Sequence, residues 1–230
     1  MPASATQLAL PVHLRDDATL ENFLFTDALG ALEQHLQQLS AESALYLHGG
    51  AGTGRSHLLQ AACHAVSDGE ALYLPLEQLG ELDPAEVLAG LESLSLICLD
   101  NLDAVAGKPD WEEALFHLIN RCREQGCRLV FSAAAAPRQL AVQLADLRSR
   151  LSWGMVFQLP DVTDADKLLI LQFRARQRGM TLGDETAAYI MSRASRSLAE
   201  LIDVLEQLDR DSMVAQRPLT IPFVKQSLGW

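Results

Sequence analysis

One short stretch of the sequence indicates the class of structure: Leu45-Tyr46-Leu47-His48-Gly49-Gly50-Ala51-Gly52-Thr53-Gly54-Arg55-Ser56-His57. Its apolar start is typical of a buried strand, and the glycine-rich turn leads into a predicted helix. Glycines let successive backbone N–H groups converge on an anion, and the amino end of the helix adds its dipole. The stretch therefore predicts a phosphate-binding loop between a strand and a helix. A glycine-rich turn without a ligand is the alternative.

The spacing of this loop fits the Walker A motif at every position but one. Gly49, Gly54 and Ser56 stand where the motif requires them, but Arg55 replaces the motif's lysine. The guanidinium keeps the charge, yet it is larger and planar, so we expect retained diphosphate binding and impaired hydrolysis. Ser56 has the hydroxyl expected to ligate Mg²⁺. The predicted nucleotide-binding residues of the loop are Gly49, Gly50, Ala51, Gly52, Thr53, Gly54, Arg55, Ser56 and His57.

A second apolar run, residues 96–99, ends in a carboxylate where a Walker B strand would place its Mg²⁺ ligand. Asp100 is the candidate, and a solvent-facing aspartate at a strand end is the alternative. The next position is usually acidic in ATPases of this type, but here it is Asn101. An amide cannot take a proton from water, so general-base activation is missing there. Asp103 is not expected to occupy that position without a bulge.

The rest of the sequence alternates predicted helices with apolar, strand-length runs, as in a parallel sheet covered by helices. The predicted strands are residues 44–47, 71–74, 96–99, 129–131 and 155–159. The predicted helices of this part are residues 26–39, 56–66, 84–94, 111–124 and 138–150. Only helices are predicted afterwards, at residues 164–178, 184–193, 198–213 and 218–228. We therefore expect an α/β domain over residues 15–160 and an all-helical domain over residues 161–230.

Composition and charge exclude several classes of protein. The 230 residues include 49% hydrophobic side chains, which suits a globular core, and no run approaches the ~20 apolar residues of a membrane span. A net charge of −12 argues against a protein that binds nucleic acid directly. The four cysteines lack metal-ligand spacing, and the first residues do not resemble a secretory signal. The expected location is the cytoplasm.

Several stretches resemble the AAA+ ATPases and, among them, the initiator DnaA and its Hda-type regulatory homologues. The resemblance includes residues 17–23, the Walker A loop, and Leu147-Arg148-Ser149-Arg150-Leu151-Ser152-Trp153-Gly154, which is similar to the arginine-finger segment of DnaA. Residues 207–225 are similar to the end of Hda-type proteins. The resemblance implies a P-loop AAA+ domain followed by a helical lid. The sequence stops where DnaA would continue into its DNA-binding domain, so no sequence-specific DNA binding is expected.

The resemblance also implies roles for residues outside the loop. Arg150 would be an arginine finger supplied in trans to a nucleotide held by DnaA. A structural salt bridge at Arg150, with Arg148 solvated, is the alternative. The expected cofactor is ADP or ATP, with Mg²⁺ held by Ser56 and Asp100. Alignment places Ala199 where the lid of DnaA-like proteins has a sensor arginine, with Arg196 one turn earlier.

A short peptide near the amino terminus resembles the motif by which Hda-type proteins bind the DNA polymerase III beta sliding clamp. An ordinary β-like arm that packs on the domain is the alternative. Residues 1–14 are therefore expected to form a clamp-binding segment. The residues that match the motif are Gln7, Leu8, Leu10 and Pro11.

Together these features predict a regulatory adaptor that binds nucleotide and the sliding clamp, stimulates ATP hydrolysis by DnaA and so inhibits replication initiation. Its intrinsic ATPase activity is expected to be inefficient, and self-association is possible. An autonomous AAA+ ATPase that acts as a loader or motor is the alternative. A truncated initiator that binds origin DNA would need a basic recognition helix, which the last 30 residues do not provide.

Overall fold

A computed structural model describes residues 14–37, 44–66, 69–195 and 197–230. The four predicted clamp-binding residues lie outside these ranges, and so does Arg196. The chain divides into two compact units, of which the first ends at Pro160 and the second spans Asp161–Trp230. Among the described helices, none has the length and apolar character that a membrane crossing requires.

The first unit is built on a five-stranded parallel sheet. Its strands are β1 (Leu45–His48), β2 (Ala71–Pro75), β3 (Leu96–Asp100), β4 (Arg128–Ala133) and β5 (Met155–Gln158). They lie in the order β2-β3-β4-β1-β5, and every neighbouring pair is parallel. The central position of β1 places the glycine-rich loop at the carboxyl edge of the sheet, where ligands bind in such folds. The predicted α/β fold class is confirmed.

Helices cover both faces of this sheet. They are α1 (Gly30–Gln37), α2 (Arg55–His64), α3 (Leu76–Leu79), α4 (Pro84–Val87), α5 (Pro109–Gln125) and α6 (Ala145–Leu151). One core contains Leu45, Leu47 and Cys98 packed with residues of α1 and α2. The other contains Tyr46 and Phe131, from the opposite sheet face, packed with residues of α5 and α6. Strand side chains alternate between the two cores because successive residues of a strand point to opposite faces.

Two predicted helices are shorter in the structure. The segment expected at residues 84–94 is divided into α4 and a 3₁₀ turn at Leu91–Ser93, because Gly90 has a left-handed φ of 71°. The segment expected at residues 138–150 is helical only in α6, at Ala145–Leu151. Its preceding loop is held instead by the side chain of Glu112, which accepts hydrogen bonds from backbone N–H groups.

The last strand differs from the sequence expectation of a run buried on both sides. Among the described strands, β5 pairs with β1 alone and lies at the edge of the sheet. Met155 and Val156 on this strand are exposed. Gly154 immediately before it passes so close to Ala44 that a Cβ would overlap the Ala44 carbonyl.

The second unit consists of α7 (Asp164–Gln177), α8 (Asp184–Arg193), α9 (Leu198–Ala215) and α10 (Ile221–Leu228). A capping box between Thr163 and Asp166 fixes the start of α7. Leu171, Leu201 and Phe223 belong to its buried core. This unit is the predicted all-helical lid.

Candidate functional site

The glycine-rich loop after β1 forms a cradle that side chains would fill. A Cβ on Gly49 would lie 2.8 Å from the carbonyl oxygen of Leu159, a backbone atom that cannot easily move. Gly54 has a φ of 91°, and a Cβ there would lie 2.6 Å from the ring of Phe23. Thr53 closes the turn by donating its hydroxyl to the Gly50 carbonyl at 2.9 Å. The loop is therefore open to a backbone-bound anion only because these positions are glycine.

Arg55 is the first residue of α2 and lies at the base of this cradle. No side chain caps the amino end of α2, so its dipole and first N–H groups remain directed at the loop. The Arg55 side chain is only 13% exposed, and within the described ranges its Nη1 has no hydrogen-bond acceptor. A buried guanidinium nitrogen without an acceptor fits a site for an anion.

The predicted Walker B carboxylate lies at the end of β3 and is buried. Asp100 is 1% exposed, so the solvent-facing alternative is wrong. Its Oδ2 accepts a hydrogen bond from the Tyr73 hydroxyl at 2.6 Å, and its Oδ1 accepts one from the Ser132 hydroxyl. Burial and the adjacent Asp100 carboxylate raise the pKa of Tyr73 well above its ordinary value, whereas hydrogen bonds with Ser56 and Gln60 oppose the rise. Tyr73 thus links the Walker A serine to the Walker B carboxylate.

The residues after Asp100 turn back toward the loop. Asn101 has a left-handed φ of 57° and is followed by a 3₁₀ turn at Leu102–Ala104. Asp103 is thereby placed with its Oδ2 2.7 Å from the Ala134 N–H and 3.9 Å from Nη1 of Arg55. The sequence did not predict this placement, because a carboxylate two residues beyond Asn101 was expected to reach that position only through a bulge in the strand. The structure brings this carboxylate to the loop through the turn.

His57, another predicted nucleotide-binding residue, makes contacts with the segment that precedes α1. Its Nε2 lies 2.8 Å from the Thr19 carbonyl oxygen, and its ring centroid lies 5.7 Å from that of Phe23. The side chain therefore joins the Walker A helix to this segment. Phe23 in turn packs on Phe25 at 4.7 Å, next to Gly54.

Arg150, the predicted finger, lies on α6 and stacks on an aromatic side chain. Its guanidinium carbon is 3.6 Å from the centroid of Trp153 and 5.7 Å from that of Phe116. Within the described ranges Arg150 makes no ion pair, so the salt-bridge alternative is not supported. The same alternative left Arg148 solvated, but its guanidinium donates to the Val142 carbonyl.

Glu112 of α5 positions the start of α6. It is 2% exposed, and its carboxylate accepts hydrogen bonds from the N–H groups of Gly107, Gln143 and Leu144 at 2.7–3.0 Å. The role of Glu112 was not predicted from the sequence, because an acidic side chain in a helix is usually solvated. A glutamate among the apolar positions of α5 was the available signal.

The predicted sensor position of the lid is occupied by Ala199. Ala199 lies in the first turn of α9 and is exposed. Its methyl side chain carries no charge with which to bind a phosphate. Its neighbour in the prediction, Arg196, belongs to the undescribed residues.

The residues around the loop fit a phosphate-bearing ligand. Gly49 and Gly54 leave the backbone accessible, and the Nη1 of Arg55, which is 3.9 Å from Asp103 and makes no hydrogen bond in the described ranges, can donate to an anion. For Mg²⁺ the nearby oxygen donors are the Ser56 hydroxyl and the Asp100 carboxylate, which is the donor type this ion prefers. Both carboxylate oxygens already accept hydroxyl donors, which suits contact through water better than a direct bond.

Two family models match this chain. The model described as "Hda, lid domain" matches residues 164–228, and the one described as "Bacterial DnaA ATPAse domain" matches residues 82–158. Both agree with the resemblance found in the sequence.

Solved structures of AAA+ proteins share the fold. Domain III of DnaA from Thermotoga maritima is 20% identical with a TM-score of 0.74, over 95% of this chain and 98% of that one. AMPPCP-bound DnaA from Aquifex aeolicus is 21% identical with a TM-score of 0.68, over 84% and 65%. The RuvB branch-migration motor of Thermotoga maritima is 17% identical with a TM-score of 0.64, over 92% and 71%.

Proposed function

We propose, from the premise that the chain is a DnaA-homologous AAA+ protein of the Hda type, that it is a regulatory adaptor. It binds adenine nucleotide, docks on the sliding clamp and stimulates ATP hydrolysis by DnaA, which gives negative regulation of replication initiation. The observation that carries this proposal is Arg150, a cation without a carboxylate partner in the described ranges, in a chain with a net charge of −12. An uncompensated arginine in so acidic a protein is suited to an anion from elsewhere.

The nucleotide of this chain is ADP or ATP, held by the loop from Gly49 to Ser56. Backbone N–H groups of the loop would bind the phosphates, and Arg55 would supply the charge. Ser56 would ligate Mg²⁺, with Asp100 acting through water. The accessible cradle and the unused donor of Arg55 support this assignment. The fold is shared with a DnaA structure that holds AMPPCP.

Hydrolysis of the chain's own nucleotide is inefficient in this proposal. Asn101 follows the Walker B carboxylate, and its amide cannot accept a proton from water. The second candidate function, an autonomous loader or motor ATPase, is favoured by one observation. Asp103 presents a carboxylate 3.9 Å from Arg55, which is an acidic group at the loop that the sequence did not predict.

Arg150 is the group that acts on DnaA. Its guanidinium would reach the nucleotide held by DnaA and stabilise negative charge on the transferring phosphoryl group. Such fingers contribute about 10³–10⁵ in rate. Stacking on Trp153 leaves the N–H edges of Arg150 available for this contact.

Docking on the DNA polymerase III beta sliding clamp is assigned to Gln7, Leu8, Leu10 and Pro11, on their motif alone. Replacing Gln7 and Leu8 with alanine should remove clamp binding in a pull-down while the Tm stays unchanged. Clamp binding that survives the double replacement would contradict this part of the proposal.

The experiment that tests the whole proposal measures phosphate release by ATP-loaded DnaA with clamp-loaded DNA, with and without this chain. A second arm measures release by the chain alone. The adaptor predicts a large stimulation of DnaA and a slow rate for the chain alone. Turnover above about 1 per second by the chain alone, within the ordinary range of enzymes, would instead support the autonomous ATPase.

A further inference from the structure

A second arginine shares the aromatic ring on which Arg150 stacks. The guanidinium carbon of Arg123, on α5, lies 4.8 Å from the Trp153 centroid, and that of Arg150 lies 3.6 Å from it. Trp153 is 54% exposed, and Arg123 is exposed as well. We call Arg123, Arg150 and Trp153 the two-arginine patch.

No carboxylate of the part of the chain that the structure describes forms an ion pair with either arginine of the patch. Near this part of α5, the described carboxylates that pair with an arginine pair with other arginines. Glu92, for example, forms an ion pair with Arg121 at 3.2 Å. A carboxylate partner would consume the N–H edge of a guanidinium. Stacking on an aromatic face uses only the plane of the group and leaves its donors free. Trp153 therefore orders two cations without spending their hydrogen-bonding capacity.

The two cations are close enough to repel one another. Their distances to the common ring place the guanidinium carbons at most about 8.4 Å apart, which is comparable to the screening length of about 8 Å at physiological salt. The chain has 30 acidic side chains, yet none in the described ranges forms an ion pair with Arg123 or Arg150. A polyvalent anion that contacts both guanidinium groups would relieve the repulsion.

We infer that Arg123 is a second phosphate-binding residue of the surface that presents Arg150, and that Trp153 is the positioning residue for both. The anion is the phosphate chain of a nucleoside triphosphate held by a partner AAA+ subunit. This inference rests on the proposed function and adds to it a second cation and the aromatic platform that orients the pair.

A binding measurement on the full chain tests the patch without any hydrolysis. The chain is first saturated with ADP, so that its own loop is filled, and is then titrated with inorganic tripolyphosphate. The fluorescence of Trp153 is obtained by subtracting the emission of the Trp153→Phe variant from that of the wild-type chain. This subtraction cancels the contributions of Trp111 and Trp230. We expect a saturable change that Arg123→Gln and Arg150→Gln each weaken by about tenfold, the usual loss of one charge-assisted hydrogen bond. Arg210→Gln, an exposed charge change on α9, should leave it unchanged.

A rate measurement then separates this inference from the proposed function. In the DnaA hydrolysis assay, Arg123→Gln should lower the maximal stimulated rate by about tenfold at an unchanged half-saturating concentration. Trp153→Leu should lower it by about threefold, and Trp153→Phe should restore most of it because the ring is retained. Melting temperatures should be unchanged, since both side chains are exposed.

The contrary results are distinct. No tripolyphosphate response, or an Arg123→Gln variant with a wild-type maximal rate, overturns the two-arginine patch. If that result accompanies loss of stimulation in Arg150→Ala, only the patch fails. Undiminished stimulation by Arg150→Ala overturns the proposed function itself and the inference with it.

Discussion

Glu112 accepts the backbone N–H of Leu144 at 2.7 Å, and this buried contact fixes the residue from which the Arg150 helix starts. The same carboxylate also accepts N–H groups of Gly107 and Gln143. Leu144, the N-cap residue of α6, has no side chain that can accept a hydrogen bond. The Glu112 carboxylate on α5 therefore accepts the backbone N–H groups at the start of this helix in place of an N-cap side chain.

Replacing Glu112 with glutamine should destabilise the chain and weaken its stimulation of DnaA. The amide NH₂ of the introduced glutamine would face backbone N–H groups that the carboxylate now accepts, so some of these donors lose their acceptor. We therefore expect the free energy of unfolding to fall by about 1–3 kcal/mol. Urea denaturation measures the change. Glu113→Gln is the matched control on the same helix, where the side chain is 74% exposed. An equal effect from the two variants would show that the buried hydrogen bonds contribute nothing.

Gly49→Ala should remove nucleotide binding. The added Cβ would meet the Leu159 carbonyl oxygen at 2.8 Å, so the loop must shift away from its cradle geometry. Titration with a fluorescent ADP analogue measures binding, and thermal unfolding reports the integrity of the fold. Gly30→Ala is the control, because a Cβ at the start of α1 meets nothing within 4 Å. That variant should bind normally and gain up to about 1 kcal/mol of stability. Normal ADP binding by Gly49→Ala would contradict the assignment of the loop.

Alkaline pH should destabilise the chain through its buried phenols. Burial raises the pKa of Tyr73 and of Tyr46, so each stays protonated in the folded state while the unfolded state ionises above pH of about 10. Their contribution to stability is complete below that pH and is lost above it. The slope approaches about 1.4 kcal/mol per pH unit for each tyrosine. Denaturation between pH 9 and 11 should show a shallower slope for Tyr73→Phe than for the wild type. Identical slopes would place Tyr73 in a solvated environment.

Restoring the two unusual motif positions should raise the chain's own hydrolysis only when both are changed. Arg55→Lys alone keeps the amide at Asn101, and Asn101→Glu alone keeps the bulky guanidinium, so each should change phosphate release by less than about threefold. The double variant regains a general base, which contributes about 10²–10⁴ in rate. Nucleotide affinity should be measured in parallel, since the φ of 57° at Asn101 is more strained for the introduced glutamate than for asparagine. A fast Arg55→Lys single variant would show that Asp103 already serves as the base.

The parts of the fold predictable from sequence are those with strong local signals. The apolar runs at 96–99 and 129–131 lie within β3 and β4, and Asp184–Arg193 is helical over the predicted range. The failure at residues 138–144 has a non-local cause, because the backbone there is satisfied by Glu112, about thirty positions earlier in the chain. Periodicity in a short window carries no information about such a partner.

The candidate site shows the same division. The loop and Asp100 follow from motif spacing, but the donors on Asp100 come from Tyr73 and Ser132 on neighbouring strands. Their approach depends on strand order, which the sequence did not state. Asp103 reaches the loop through the left-handed backbone at Asn101, and the sequence alone does not show which asparagine adopts that conformation. The stacking of Arg123 on Trp153 joins α5 to the segment after α6, and spacing alone does not reveal it.

The most direct test of the central claim is single-turnover hydrolysis of ATP on DnaA, with clamp-loaded DNA and a saturating amount of this chain. We predict that the wild-type chain accelerates hydrolysis strongly, that Arg150→Ala returns the rate to that of DnaA without the chain, and that Arg210→Ala behaves as wild type. An Arg150→Ala chain that folds normally and stimulates DnaA as well as the wild type would contradict the account.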